Sequence, residues 1–150
     1  MDQRIIYLCD YGLSQELIAE TGWSLRKYQY IVIPITPDLL VNQFRKHQNR
    51  FPVISFIQSL SQLSLDLAFK RRYLFHAISN MSLTYIEFTS FYDSTNKYEY
   101  SRRNKIQQHP LPLTVEEICS IIRQACDQFY LNNRKWPGGI RAKIPRQEIE

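Results

Sequence analysis

Arg4-Ile5-Ile6-Tyr7-Leu8-Cys9, closed by Asp10-Tyr11-Gly12, is the stretch on which the fold turns. A nearly continuous apolar run of good β-formers is the pattern of a strand covered on both faces, not of one that alternates between core and solvent. Just beyond it, Ser14 is placed to cap a helix that carries Leu17, Ile18 and Thr21 on one side, with Gly22 positioned to stop it. The reading is strand, turn, helix, and it recurs.

Tyr28 to Ile35 contains Ile31-Val32-Ile33, and Thr36-Pro37-Asp38 supplies an N-cap, a proline at the first helical position and an early acidic residue for a helix to about Gln48. Pro52-Val53-Ile54-Ser55-Phe56-Ile57 predicts a third strand. A helix from about Ser59 to Ser79 then follows, with Leu60, Leu63, Leu67, Leu74 and Ile78 in one stripe. Three strand–helix units in succession favour parallel pairing through right-handed crossovers.

A fourth strand over Leu83 to Thr89 breaks the rhythm, because the next twenty residues are polar and rich in tyrosine. Phe91-Tyr92, the turn-like Asp93-Ser94-Thr95-Asn96 and Lys97-Tyr98-Glu99-Tyr100 read as a hairpin extending the sheet, or else as an ordered loop over its edge. After Pro110-Leu111-Pro112, Thr114 and Glu117 form a capping box ahead of Val115, Ile118, Ile122, Ala125, Cys126 and Phe129, so a last amphipathic helix is expected to about Asn132. The expected fold is a three-layer α/β domain over residues 1–132: an open, mostly parallel sheet of about four to six strands with flanking helices and an edge hairpin. Residues 133–150 read as a basic irregular tail.

The element order resembles a response-regulator receiver domain over residues 4 to 130. In that family an acidic pair ending the first strand works with a phospho-accepting aspartate ending the third, a Ser/Thr after the fourth and a lysine after the fifth. Asp10 matches one of the acidic pair, and Thr89 or Ser90 the hydroxyl position. The third strand instead ends Phe56-Ile57-Gln58-Ser59, with no carboxylate, and no lysine is assigned. The resemblance therefore implies a pseudo-receiver, a regulatory or adaptor domain that signals by contact. In outline the chain also resembles PIN-like nucleases, which implies carboxylates holding Mg²⁺ or Mn²⁺ to activate water. Asp10, Glu87 and Asp93 are the residues such a site would recruit. The plain alternative makes Asp10 a turn residue and Glu87 a solvated one, with no metal, cofactor or catalytic residue.

Composition bounds the partners. The net charge is +5, and it is uneven: residues 1–96 carry nine Lys/Arg against eight Asp/Glu, residues 97–150 ten against six. Tyr98, Tyr100, Arg102, Arg103 and Lys105, then Arg134, Lys135, Trp136, Arg141, Lys143 and Arg146, combine phosphate-neutralising cations with rings that stack on exposed bases. That combination fits a contact with single-stranded nucleic acid or with a protein; the alternative is a charge-protected edge and a solvated tail. Tyr and Trp are also common at interfaces, so a homodimeric interaction protein is a further reading. Lys70-Arg71-Arg72 reads as the exposed face of a helix.

His47, His76 and His109 have no metal-like spacing, and Cys119 and Cys126, seven apart, share an apolar helix face as packing residues. No phosphate-binding glycine loop is present in the sequence. No apolar run approaches the roughly 18 residues of a membrane span, the start has no signal-peptide layout, and three cysteines do not make a disulfide framework; a cytoplasmic, membrane-free setting is expected.

Overall fold

The computed structural model describes residues 4–46, 51–59, 62–81, 83–91 and 106–133. Its strands are β1 (Arg4–Asp10), β2 (Tyr30–Ile35), β3 (Val53–Ser59), β4 (Tyr85–Phe91) and β5 (Ile106–Pro110); its helices are α1 (Gln15–Arg26), α2 (Pro37–Arg45), α3 (Leu65–Met81) and α4 (Val115–Asn133). The strands form one sheet in the order β2-β1-β3-β4-β5, and every described pairing is parallel. Helices α1 and α4 pack together on one face and α2 and α3 on the other, which completes a three-layer, receiver-like α/β architecture. Strand order reverses between β1 and β3, the place where open sheets of this kind leave a crevice at the carboxyl ends of their strands.

Local chemistry explains the starts of the helices. Ser14 Oγ accepts from Leu17 N–H, Thr36 Oγ1 from Leu39 N–H and Ser64 Oγ from Leu67 N–H, each taking one of the donors a helix start leaves unpaired. At α4 the capping box closes reciprocally: Glu117 N–H donates to Thr114 Oγ1 at 3.1 Å and Thr114 N–H to Glu117 Oε1 at 2.8 Å.

Alternation along the buried strands feeds two cores. Ile6, Leu8, Ile54, Phe56, Ile86 and Phe88 meet Leu25 of α1 and Ile118, Ile122 and Cys126 of α4. Ile5, Tyr7, Val53, Ile57 and Tyr85 meet Leu40 and Phe44 of α2 and Leu74 and Ile78 of α3. At the amino end of the sheet, Arg4 and the Tyr30 hydroxyl both bond to Asp127 and so tie α4 to β1 and β2. Edge strand β2 carries Pro34, which has no N–H to offer another chain.

Four expectations are corrected. Gly22 does not end α1, which continues to Arg26; it lies buried on the sheet side, where a methyl group would stand 3.5 Å from Leu8 Cδ1 and Val32 Cγ1. The third helix starts at Leu65, not at Ser59, because β3 keeps its pairing as far as Ser59 opposite Phe91 and Ser64 supplies the cap. The fifth strand is Ile106–Pro110, a segment to which no element was assigned. The second helix ends at Arg45 with Lys46 as its C-cap, short of the expected end near Gln48; the expected hairpin over residues 91–100 and the tail lie wholly or mainly outside the described residues.

Candidate functional site

Two neighbouring rows of residues cross the sheet beneath the crevice. On the α1/α4 face the register aligns Asp10, Phe56, Phe88 and His109. The Phe56 and Phe88 rings stack with centroids 5.5 Å apart, and Phe88 stacks on His109 at 5.6 Å. One residue back, on the α2/α3 face, the register aligns Cys9, Ser55, Glu87 and Gln108.

Asp10 ends β1 at the crevice, and its Oδ1 accepts hydrogen bonds from Gly12 N–H at 2.8 Å and Leu13 N–H at 3.0 Å. The carboxylate thus closes the turn into α1, with Gly12 at φ +95°, a backbone region that glycine enters without strain. Of the five strand ends, only that of β1 is acidic; β3 ends at Ser59 and β4 at Phe91. Thr89 is buried in β4 and Ser90 is exposed. Leu111 follows β5, its N–H donating to the Thr89 carbonyl at 2.7 Å, and a cis bond joins it to Pro112. A leucine therefore stands where the receiver pattern has a lysine.

Glu87 is not solvated. It is fully buried in mid-strand, where Arg71 Nε and Nη2 grip Oε2 and Oε1 at 2.6 and 2.9 Å. The Tyr85 hydroxyl donates to Oε2 at 2.6 Å and Gln108 Nε2 to Oε1 at 3.2 Å. A buried carboxylate held by a two-pronged guanidinium and two further donors is charge-balanced and fixed in place. The Lys70-Arg71-Arg72 run is consequently not one exposed face: Arg71 is 13% exposed and points into the core, while Lys70 bridges Asp38 and Asp66. Those two carboxylates raise the Lys70 pKa, through the bond to Asp38 first.

Among the described residues, no three His, Cys, Asp or Glu side chains converge as metal ligands. Asp93 lies outside those residues, as do Tyr98, Tyr100, Arg102, Arg103, Lys105, Arg134, Lys135, Trp136, Arg141, Lys143 and Arg146. Cys9, Cys119 and Cys126 are free and buried, and burial pushes each thiol up, away from the reactive thiolate. His109 bonds Gln107 Oε1 through Nε2 at 2.9 Å, and His76 is exposed beside Phe75. No helix among the described residues is long and apolar enough to cross a membrane.

A groove of about 450 Å³ lies between α2 and α3, with Asp38, Asp66 and Lys70 at one end and Arg45 and Tyr73 towards the other. It was not anticipated. Its signal in the sequence is Leu65, Phe69 and Tyr73, spaced by four along α3 on the side away from Leu67, Leu74 and Ile78.

No protein-family model matches the chain, and no curated protein matches it. Solved structures do. The signal receiver domain of a protein described as a Luxo repressor from Vibrio parahaemolyticus superposes with a TM-score of 0.63 at 10% identity, covering 88% of this chain and 96% of its own. The receiver domain of the hybrid histidine kinase CckA gives 0.51 at 12%, covering 81% and 98%. A de novo designed Rossmann 2x3 fold protein gives 0.58 at 13%, covering 85% and 91%. The likeness is one of fold: a designed protein stands among natural receivers, and function has to be argued from the site.

Proposed function

We propose that this chain is a non-catalytic, pseudo-receiver regulatory or adaptor domain that acts by protein contact. One observation carries the reading. Among the described residues, the strand ends at the crevice where a receiver gathers its phosphoryl-transfer groups present a single carboxylate, Asp10, with one oxygen committed to two backbone N–H groups, and Leu111 follows the fifth strand. Phosphoryl transfer in a receiver needs an acceptor carboxylate at the end of the third strand, which here ends Gln58-Ser59, and cations around the developing charge. The partner contact is assigned to the basic C-terminal third, whose cations and aromatic side chains would also suit single-stranded nucleic acid. A reducing, cytoplasmic setting belongs to the same proposal and suits three buried free thiols.

The test is incubation of the chain with acetyl phosphate and Mg²⁺, followed by intact-mass measurement. No phosphoryl adduct is expected, and Asp10→Asn should leave stability nearly unchanged because the amide oxygen still accepts both turn bonds. An adduct that Asp10→Asn abolishes would overturn the proposal. A labelled single-stranded oligonucleotide tests the nucleic-acid contact: binding that weakens steeply from low to moderate salt supports it, and no binding at either salt removes it.

A further inference from the structure

The groove between α2 and α3 is bordered by exposed apolar side chains of α3. Leu65 and Phe69 are 72% and 60% exposed, and Tyr73 continues their line along α3. Monomeric proteins seldom leave a contiguous patch of large apolar side chains uncovered, and a contact surface is the usual reason when they do.

The charges along the groove form a dipole. Each helix returns the chain across a parallel sheet, so α2 and α3 run in the same direction and their first turns lie at the same end. Asp38 and Asp66 occupy those turns and share one lysine, Lys70, leaving an excess negative charge there. Arg45 lies in the last turn of α2, with its guanidinium 5.6 Å from the centre of the Tyr73 ring, and it forms no ion pair among the described residues. The groove is therefore acidic at one end, basic at the other and aromatic between.

We propose that the occupant of this groove is a second copy of this chain, turned end over end. A twofold axis across α2 and α3 sets the pair antiparallel to its counterpart and brings Arg45 of each copy to Asp38 and Asp66 of the other. Phe69 and Tyr73 of both copies then cover one another at the centre. An isologous contact requires a self-complementary patch, and a dipole read head to tail against itself is one. The proposal deepens the reading of a contact domain, because the surface joins two copies and leaves the C-terminal third to other partners.

The experiment is sedimentation equilibrium of the full chain from low to high micromolar concentration. A concentration-dependent dimer is expected. Phe69→Asp should weaken it at least about tenfold, as loss of a central aromatic contact does, and circular dichroism should show the fold retained, since the ring is largely exposed. Arg45→Glu and Asp38→Arg should each dimerise poorly alone, and their mixture should restore a heterodimer because both ends then match. A chain monomeric at every concentration, or a dimer indifferent to Phe69→Asp and Arg45→Glu, would sink the proposal. A mixture that stays monomeric would refute the end-over-end pairing. Failure here and failure of the pseudo-receiver reading are separable, because acetyl phosphate reports on Asp10 whatever the state of association.

Discussion

The two rows beneath the crevice lie one residue apart and follow opposite physical rules. Asp10-Phe56-Phe88-His109 is held by stacked rings on the α1/α4 face, where large apolar side chains fill the space and few polar atoms need partners. Cys9-Ser55-Glu87-Gln108 faces α3, and its central carboxylate is stable there only because Arg71 comes in from the helix. An apolar face tolerates changes in proportion to the volume removed, whereas a face built on a buried ion pair depends on both partners.

The largest effect belongs to Arg71→Ala. It leaves the Glu87 carboxylate buried without its counter-charge, and unfolding in urea should show a loss of about 3–5 kcal/mol. Arg71→Met combined with Glu87→Leu should recover most of that loss, since the double change removes both charges together. A loss below about 1 kcal/mol for Arg71→Ala would mean that the pair behaves as a surface ion pair and that the two faces do not differ. On the apolar face, Ile122→Ala opens a cavity at a fully buried site and should cost about 3 kcal/mol, with no second substitution needed to explain it.

The contrast also governs what could be read from the sequence. The continuous apolar strands, the Ser14, Thr36 and Thr114 caps and the Ile118-Ile122-Cys126 stripe announce a parallel sheet and a final helix through periodicity alone. A charge run ordinarily marks an exposed face, yet position 71 falls inside the stripe of Leu67, Leu74 and Ile78. A cation occupying an apolar stripe needs a buried anion, and Glu87, at the same strand parity as Tyr85, is that anion. Strand β5 carried no pattern to read: Gln107, Gln108 and His109 are polar, prolines follow at 110 and 112, and backbone pairing to β4 holds the strand in place. Of the candidate site, Asp10's place at a strand end was legible; its commitment to the turn was not, since two backbone N–H groups leave no mark in a sequence.

Smaller changes sharpen the comparison on the apolar face. Thr114→Ala removes the acceptor of the Glu117 N–H and should cost about 1 kcal/mol in chemical denaturation. A cost near zero would mean that Glu117 alone satisfies this helix start. Gly22→Ala should act in the opposite direction. The new methyl meets Leu8 and Val32 at ordinary contact distance, so the helix gains propensity without a clash and the melting temperature should rise, by up to about 1 kcal/mol in stability. A fall instead would show that α1 lies closer to the sheet than that spacing allows.

The smallest effect separates the rows by acidity. Half-buried His109 ends the aromatic row, and burial lowers its pKa from the ordinary value of 6.5. Between that lowered value and 6.5 the unfolded chain binds more protons at this position than the folded one, so stability contributed by neutral His109 is complete above 6.5 and is lost as the pH falls through the window. Urea midpoints at pH 7.5 and pH 5.5, roughly one unit either side of that value, should therefore fall further for the native chain than for His109→Gln, which keeps a polar group opposite Gln107 but cannot titrate. Every other side chain is common to the two proteins and cancels in the difference. Equal shifts in the two proteins would place His109 in contact with water when folded, and the stacked row would then end at Phe88.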